Sequence, residues 1–228
     1  NLGSDIPAIA TISHSIFHNN TGTYSGAIKN EGQLWLTNVT ISQNVATFEG
    51  ASGGIWQATQ LDYSPDPGEE AIVHMRNCIL YGNTPTENYE IQDNNGFRPT
   101  CWDLDYNNIE ISTFPDHCYY QIGDSNQYNI DPLFVDATNG DFNLDVLSPC
   151  IDAGDSSGVY DADSTVMDMG AFPRLRQFLA GTSDDDIRIS ADTTVIITAD
   201  FTVTTDDTMQ LDAGAQLYFG PGVTLTVE

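Results

Sequence analysis

A short strand pattern occurs three times before residue 84 of this chain, each time followed at a fixed distance by an asparagine. The three copies are Ser13-His-Ser-Ile-Phe17 with Asn20, Thr37-Asn-Val-Thr-Ile41 with Asn44, and Arg76-Asn-Cys-Ile-Leu80 with Asn83. The copies begin 24 and then 39 residues apart, so the strands keep their internal spacing while the turns between them change in length. Such a pattern is typical of a solenoid, in which each coil contacts only its neighbours.

The length of the repeat predicts an all-β coil. A coil of about 24 residues holds roughly three short strands and their turns, because a strand rises about 3.3 Å per residue. Aliphatic residues at repeated positions are expected to stack inward as a ladder, and asparagines at one corner are expected to bond the coils above and below. The predicted ladders are Ile16, Ile41 and Ile79, and Asn20, Asn44 and Asn83.

The rest of the chain divides into four stretches. Polar and aromatic residues dominate 84–129, which predicts a coil with a loop-rich insert, and tightly turned motifs in 130–172 predict a closing segment. Residues 1–172 are therefore expected to form one β-solenoid. Residues 173–186 are predicted as an acidic, turn-prone linker. Alternating apolar and polar residues in 187–228 predict a second β unit, the start of further coils.

The charge of the chain excludes several classes of partner. With 6 Lys and Arg against 33 Asp and Glu, the 228 residues carry a net charge of −27. Such a surface repels nucleic acid and anionic membranes, and it suits a salty or calcium-containing exterior; solubility alone is the alternative explanation. No apolar run of about 18 residues is present, so no membrane insertion is predicted.

Four cysteines are present, and they allow three pairings. None forms a Cys-x-x-Cys pair, so a zinc site is not expected. Together with the acidic composition, they favour an oxidising, extracellular location. The predicted disulfides join Cys101 to Cys118 and Cys78 to Cys150, and free buried thiols are the alternative.

Several motifs together resemble a known group. They are Gly26-Ala-Ile-Lys-Asn30, Leu36-Thr-Asn-Val-Thr-Ile-Ser-Gln-Asn44, Gly53-Gly-Ile55, Asn77-Cys-Ile-Leu-Tyr-Gly-Asn83, Asp131-Pro-Leu-Phe134, Ser148-Pro-Cys-Ile-Asp-Ala-Gly-Asp155 and Asp168-Met-Gly-Ala-Phe172. Over about residues 10–172 the chain resembles the secreted right-handed parallel β-helix proteins of bacterial surfaces, of the Pmp-like or choice-of-anchor type. Residues 189–228 are similar to the opening coil of another β-helix. The resemblance implies this fold and an extracellular, multi-domain setting, but no single activity.

Polysaccharide lyases and hydrolases use the same fold, so the fold alone does not exclude an enzyme. A lyase needs a cation over the substrate carboxylate, and Arg98 beside aromatic residues is the candidate, with a structural ion pair as the alternative. A hydrolase needs carboxylates that converge on one face, whereas the repeated positions hold Ser, Thr, Asn, Ile and Phe. No catalytic residue is therefore assigned, and an enzyme is not favoured.

Two ligands remain as candidates. Calcium prefers several oxygen ligands on irregular loops, and five aspartates cluster among Gly and Ser; turn-capping by the same side chains is the alternative. These are Asp152, Asp155, Asp161, Asp163 and Asp168. A surface glycan is the second ligand, because aromatic rings stack on sugars. The candidate residues are Trp102, Arg98, Tyr106 and Trp56, while Trp35 is assigned to packing or to the outer face of a coil.

The sequence thus favours a non-catalytic extracellular structural or adhesive module of a larger surface protein. Both ends of the chain break off within strand-like patterns, and uncapped coils favour head-to-tail assembly with other copies into a fibre. Caps supplied by flanking domains are the alternative to assembly. The alternative function is a carbohydrate-binding or polysaccharide-degrading β-helix with its site in the 84–129 loops.

Overall fold

The structure is a computed structural model that describes residues 8–48, 51–57, 71–84, 91–93, 101–111, 119–174, 176–183, 185–191 and 193–228. In these residues the chain is all-β, with one 3-10 turn at Ala137–Asn139 and no α-helix. Nor does this part of the chain hold a helix long and apolar enough to cross a membrane. Two compact units are present, Asn1–Val159 with Val166–Pro173, and Tyr160–Thr165 with Arg174–Glu228.

The strands of the first unit are mostly short and rich in the β-branched and aromatic residues that suit a pleated sheet. They are β1 (Ile9–His18), β2 (Thr21–Gly22), β3 (Ile28–Asn30), β4 (Gln33–Ser42), β5 (Val45–Ala46), β6 (Ile55–Gln57), β7 (Ile72–Arg76), β8 (Ile79–Tyr81), β9 (Ile91–Asp93), β10 (Cys101–Asp105), β11 (Asn108–Ile109), β12 (Tyr119–Ile122), β13 (Gln127–Tyr128), β14 (Phe134–Asp136) and β15 (Asp141–Leu144).

Parallel pairing builds three sheets from these strands. The main sheet has eight strands in the order β12-β10-β7-β4-β8-β11-β13, with β1 paired to β4. Two smaller sheets have the orders β3-β6-β9 and β2-β5. All pairings within the three sheets are parallel. Among the described strands of this unit, the hairpin β14-β15 alone is antiparallel.

The register of the main sheet follows the alignment of the sequence repeats. Thr37 in β4 lies opposite Ser13 in β1 and opposite Arg76 in β7. Near the middle of the repeats the backbone is left-handed, with φ of 45° at His14, 52° at Asn38 and 55° at Asn77. Asparagine tolerates this conformation better than most residues, because its short side chain bonds locally.

The predicted aliphatic ladder of Ile16, Ile41 and Ile79 is wrong. Ile16 lies opposite Thr40, and Thr40 lies opposite Ile79, whereas Ile41 is one residue further along its strand. Neighbouring residues of a strand point to opposite faces of a sheet, so Ile41 belongs to a different row. The inward row is formed by Phe17, Ile41, Leu80, Ile109 and Tyr128.

The stretch 84–129, predicted as a loop-rich insert, adds further strands to the main sheet. Strand β10 pairs with β7, and β12 pairs with β10, so the parallel stacking continues through this stretch. Its inward side chains extend the hydrophobic core of the first unit. The buried members of that core include Leu34, Leu36, Ile41, Val73, Met75, Leu80, Trp102, Leu104 and Ile109.

The parts of the closing segment that belong to the first unit, 130–159 and 166–172, pack on the outer face of the main sheet. Met169 and Cys150 in this segment form a second hydrophobic cluster with Ile79 and Leu144. Gly170 has φ +100°, and a Cβ there would lie 2.8 Å from Cδ1 of Ile79, so only glycine fits this close approach. The sheet residues that hydrogen-bond to the segment are Asn38, Thr40, Asn77, Asn108 and Gln127.

The second unit has its own parallel sheets. Its strands are β16 (Arg176–Thr182), β17 (Ile187–Ile189), β18 (Thr194–Val203), β19 (Met209–Leu211), β20 (Gln216–Phe219) and β21 (Leu225–Val227). Strand β18 pairs with β16, β20 and β21, and β17 pairs with β19. The core consists of Ile197, Phe201 and Val203. Strand β16, Arg176–Thr182, lies within 173–186, so half of the stretch predicted as a linker is part of this sheet.

Candidate functional site: a charged aromatic row on the main sheet

One outward row of the main sheet gathers an aromatic ring, an imidazole and a carboxylate. Trp35 in β4 lies opposite His74 in β7, and His74 lies opposite Asp103 in β10. Thr11 in β1 lies opposite Trp35 on its other side. Parallel strands lie about 4.8 Å apart, so residues in register on one face are held in direct contact.

Each side chain of this row contacts the next, by ring stacking or by a hydrogen bond. The Trp35 ring stacks face to face on His74, with centroids 3.6 Å apart and planes inclined by 8°. Nδ1 of His74 lies 2.8 Å from Oδ2 of Asp103, and because a carboxylate only accepts hydrogen bonds, Nδ1 is the donor. Nη2 of Arg76 donates to Oδ1 of the same carboxylate at 2.9 Å. We call Trp35, His74, Asp103 and Arg76 the charged row.

The charge on Asp103 is stabilised by both of its hydrogen-bond partners. Burial, the largest single influence, acts to raise the pKa of this carboxyl. The hydrogen bonds and charges of His74 and Arg76 together outweigh burial, so the pKa of Asp103 lies below its ordinary value. Arg76 is fixed further by donating from Nη1 to the backbone oxygens of Met75, at 2.9 Å, and Asp103, at 3.3 Å.

This bonding limits the chemistry of the row. Oδ2 of Asp103 accepts from His74 and Oδ1 accepts from Arg76, so both oxygens of this carboxylate are occupied within the row. Asp105 lies two residues along β10 on the same face, and its Oδ1 accepts the N–H of Tyr106 at 3.1 Å. Both carboxylates are thus hydrogen-bonded within the first unit.

Comparison with protein-family models, curated proteins and solved structures finds no match for this chain. Its function is therefore inferred from the residues and contacts of the molecule itself.

The residues predicted to bind a glycan do not form one site. Trp102 was expected in an exposed loop, but it lies in β10, faces inward and is 2% exposed, so this expectation is wrong. Tyr106 packs against the cluster of Ile79 and Cys150. Trp56 lies in a different sheet and stacks on Tyr24, with centroids 4.6 Å apart. Arg98 lies outside the described residues.

The predicted disulfide between Cys78 and Cys150 is not formed. Both thiols are free and buried. Sγ of Cys78 donates to the backbone oxygen of Arg76 at 3.2 Å, and Sγ of Cys150 accepts from Nδ2 of Asn108 at 3.1 Å. Cys78 faces the core inside the main sheet and Cys150 packs on its outer face, so the sheet separates them. The side chains of Cys101 and Cys118 lie outside the described part of the chain, and their pairing stays a prediction.

The predicted calcium ligands are distributed over both units. Asp152, Asp155 and Asp168 belong to the first unit, whereas Asp161 and Asp163 belong to the second. In the part of the chain that the structure describes, no group of three or more His, Cys, Asp or Glu side chains is arranged to hold a metal ion.

The described contacts of these aspartates are hydrogen bonds from backbone N–H groups. Oδ1 of Asp168 accepts the N–H of Asp152 at 2.7 Å, and Oδ1 of Asp155 accepts the N–H of Ser157 at 2.8 Å. The hydrogen bonds from Ser157, side chain first, lower the pKa of Asp155. Such contacts agree with the turn-capping alternative, and calcium binding stays a prediction.

The asparagines Asn20, Asn44 and Asn83 form a hydrogen-bonded ladder. Nδ2 of Asn20 donates to Oδ1 of Asn44, and Nδ2 of Asn44 donates to Oδ1 of Asn83, both at 2.8 Å. The backbone N–H groups of Asn20 and Asn44 donate to the same oxygens at 3.0 Å. The ladder is therefore a structural feature that fixes the spacing of the repeats.

Sequence reasoning missed His74 and Asp103 as partners of Trp35. The repeat alignment already placed His74 opposite Trp35, because both precede the aligned Thr37 and Arg76 by two residues. No comparable signal identified Asp103, since the strand that carries it was assigned to a loop-rich insert.

Proposed function

We propose that this chain is a right-handed parallel β-helix module of a secreted surface protein, with a structural and adhesive role and no catalytic one. The parallel pairing of successive repeats in three sheets supports this architecture, and parallel crossovers are almost always right-handed. The resemblance to secreted surface proteins and the net charge of −27 support an extracellular location.

The single observation that carries the non-catalytic role is the bonding of Asp103. The charged row places an imidazole and a carboxylate side by side on the outer face, and its carboxylate accepts from His74 and Arg76 at once. The bond to Asp103 occupies Nδ1 of His74 and fixes the orientation of its ring. The row therefore acts as a clamp across β7 and β10.

The closing segment covers part of the main sheet, and this further supports the non-catalytic role. Ala171 donates to Oγ1 of Thr40 at 3.0 Å, and Gln127 donates to the backbone oxygen of Pro149 at 2.9 Å. The closing segment thus occupies part of the outer face that a polysaccharide would need for access to an extended groove.

Strand β1 supports assembly with further copies of the chain. It has ten residues and pairs with β4, and no described strand pairs with its other edge. Ile9 at its start is 63% exposed. A free edge offers backbone donors and acceptors to another strand, and Ile9→Lys is expected to block such pairing. Sedimentation velocity of the wild type and Ile9→Lys tests this part; wild-type monomers at every concentration contradict it.

A polysaccharide panel tests the non-catalytic role. The purified chain is incubated with neutral and acidic polysaccharides, and new reducing ends and unsaturated products are measured. We expect no product from the wild type, and we expect His74→Asn to lower thermal stability without changing this result. Product that the wild type forms and a folded His74→Asn variant does not form would contradict the proposal.

A further inference from the structure

An exposed aromatic cluster lies away from the charged row, at the turns that lead into β3 and β6. Tyr24 stacks on Trp56 with centroids 4.6 Å apart and planes inclined by 29°, and Phe48 contacts Tyr24 at 5.0 Å with an inclination of 52°. Nζ of Lys29 lies 5.8 Å from the centre of the Trp56 ring and pairs with Glu31. We call these five residues the aromatic patch.

The backbone holds the patch in place. Lys29 in β3 lies opposite Trp56 in β6, and Trp56 is flanked by the buried Ile55 and Gln57, so its ring points outward. The N–H of Phe48 donates to the backbone oxygen of Thr23 at 2.9 Å, which joins the two turns. The rings therefore sit on a framework of fixed register.

The patch exposes apolar surface that the fold itself does not require. Tyr24 is 44% exposed and Phe48 is 52% exposed, although both are aromatic residues that gain free energy by burial. Scattered exposed apolar residues need no explanation, but a contiguous group of aromatic rings marks a binding surface.

We propose that the aromatic patch binds a neutral polysaccharide. Pyranose rings combine an apolar face with a rim of hydroxyl groups, so they match a surface of aromatic rings beside a donor and an acceptor. Lys29 and Glu31 supply that donor and acceptor, and their charges cancel locally. The net charge of −27 repels polyuronates and sulfated glycans and leaves neutral chains as the fitting class.

The proposal rests on the adhesive role given above and names its ligand class. The aromatic patch holds three rings in contact, Phe48 with Tyr24 and Tyr24 with Trp56, and one sugar unit needs only one ring to stack on. A polymer is therefore expected to bind more tightly than a monosaccharide. Loss of one ring is expected to weaken binding about tenfold, which corresponds to the roughly 1.4 kcal/mol that a good aromatic contact contributes.

Affinity electrophoresis in native gels with dissolved glucan, xylan, mannan or polyuronate tests the patch. We expect the wild type to be retarded by at least one neutral polysaccharide, and Tyr24→Ala and Trp56→Ala each to bind about tenfold more weakly. Tyr24→Phe keeps the ring and is expected to keep binding. Trp35→Ala is the matched control, because Trp35 is as exposed as Tyr24 but lies in the charged row.

The outcomes separate this proposal from the proposed function. Unchanged retardation in folded Tyr24→Ala and Trp56→Ala variants, loss in Trp35→Ala alone, or retardation by polyuronate only would overturn the patch. Phe48→Ala, at an exposed turn, gives the same test if either variant fails to fold. A neutral polysaccharide that is bound at the patch and also cleaved would uphold the patch and refute the non-catalytic role. The absence of any retardation would refute the patch alone.

Discussion

Nδ2 of Asn44 donates to Oδ1 of Asn83 at 2.8 Å, across a separation of 39 residues in the chain. Asn44 also donates to the backbone oxygens of Phe17 and Ser42, at 2.8 and 3.1 Å. It accepts from Asn20 in turn, so one side chain joins three successive repeats. Asn44 is fully buried, so these hydrogen bonds are shielded from water.

Replacement of Asn44 is expected to destabilise the first unit strongly. Asn44→Ala leaves buried donors and acceptors without partners, at a cost of about 3 kcal/mol or more in the free energy of unfolding. Asn20→Ala, at the exposed end of the ladder, is expected to cost about 1 kcal/mol. Urea unfolding measures both variants, and equal losses for the two would show that the ladder does not act as described.

Truncation of Trp102 is expected to cost far more stability than truncation of Trp35. Trp102 is buried in the core, so Trp102→Ala should lower the free energy of unfolding by about 3–5 kcal/mol. Trp35 is 44% exposed, and Trp35→Ala should cost about 1 kcal/mol, the value of one aromatic contact. Denaturant titration compares the two, and a mild effect of Trp102→Ala would contradict its placement.

The charged row predicts a defined pH dependence. The pKa of folded Asp103 lies below its ordinary value of 3.8, so its ion pairs stabilise the fold above about pH 4. This contribution is lost as the pH falls through the folded pKa. The difference in unfolding free energy between wild type and Asp103→Asn should be about 2 kcal/mol at pH 7 and shrink toward zero in acid. A difference that is constant from pH 7 to pH 3 contradicts the assignment.

The two described thiols are expected to be unreactive in the folded chain. Burial raises the pKa of Cys78 to about 12 and that of Cys150 to about 11, so the reactive thiolate is scarce at pH 8. Alkylation with and without urea, followed by peptide mass mapping, should label both only after unfolding. A linked peptide containing Cys78 and Cys150 would contradict the structure, and the same map reports whether Cys101 pairs with Cys118.

The sequence predicted the repeat because its signals are local. The equivalence of Ser13, Thr37 and Arg76 could be recognised from short, evenly patterned strands, and the asparagine spacing followed from the same alignment. The face of the sheet on which each side chain lies was harder to predict, since a shift of one residue exchanges the two faces of a strand. Ile41 was misassigned for that reason, although its alignment with Phe17 and Leu80 was available.

The candidate site could be predicted only in part. Trp102 follows a polar and aromatic stretch that reads as a loop, and its burial depends on pairing with Val73, which is distant in sequence. The pairing of Asp103 with His74 could not be predicted for the same reason, because it also joins two strands that are distant in sequence. Trp56 was named for its aromatic ring and its position on a coil, whereas its neighbours Tyr24 and Phe48 became apparent only when the turns were placed in register.

The parallel register of β1 and β4 is the central feature of the fold, because the asparagine ladder begins beside it and the same parallel sheet carries the charged row. Engineered cysteines test it directly: Ser13→Cys with Thr37→Cys joins register partners about 4.8 Å apart, whereas Thr11→Cys with Thr37→Cys joins exposed residues on the same face but offset by two positions. A disulfide needs Cα atoms within about 7 Å, so the first pair should cross-link under mild oxidation and the second should not. Cross-linking of the offset pair, or of neither pair, would contradict the register.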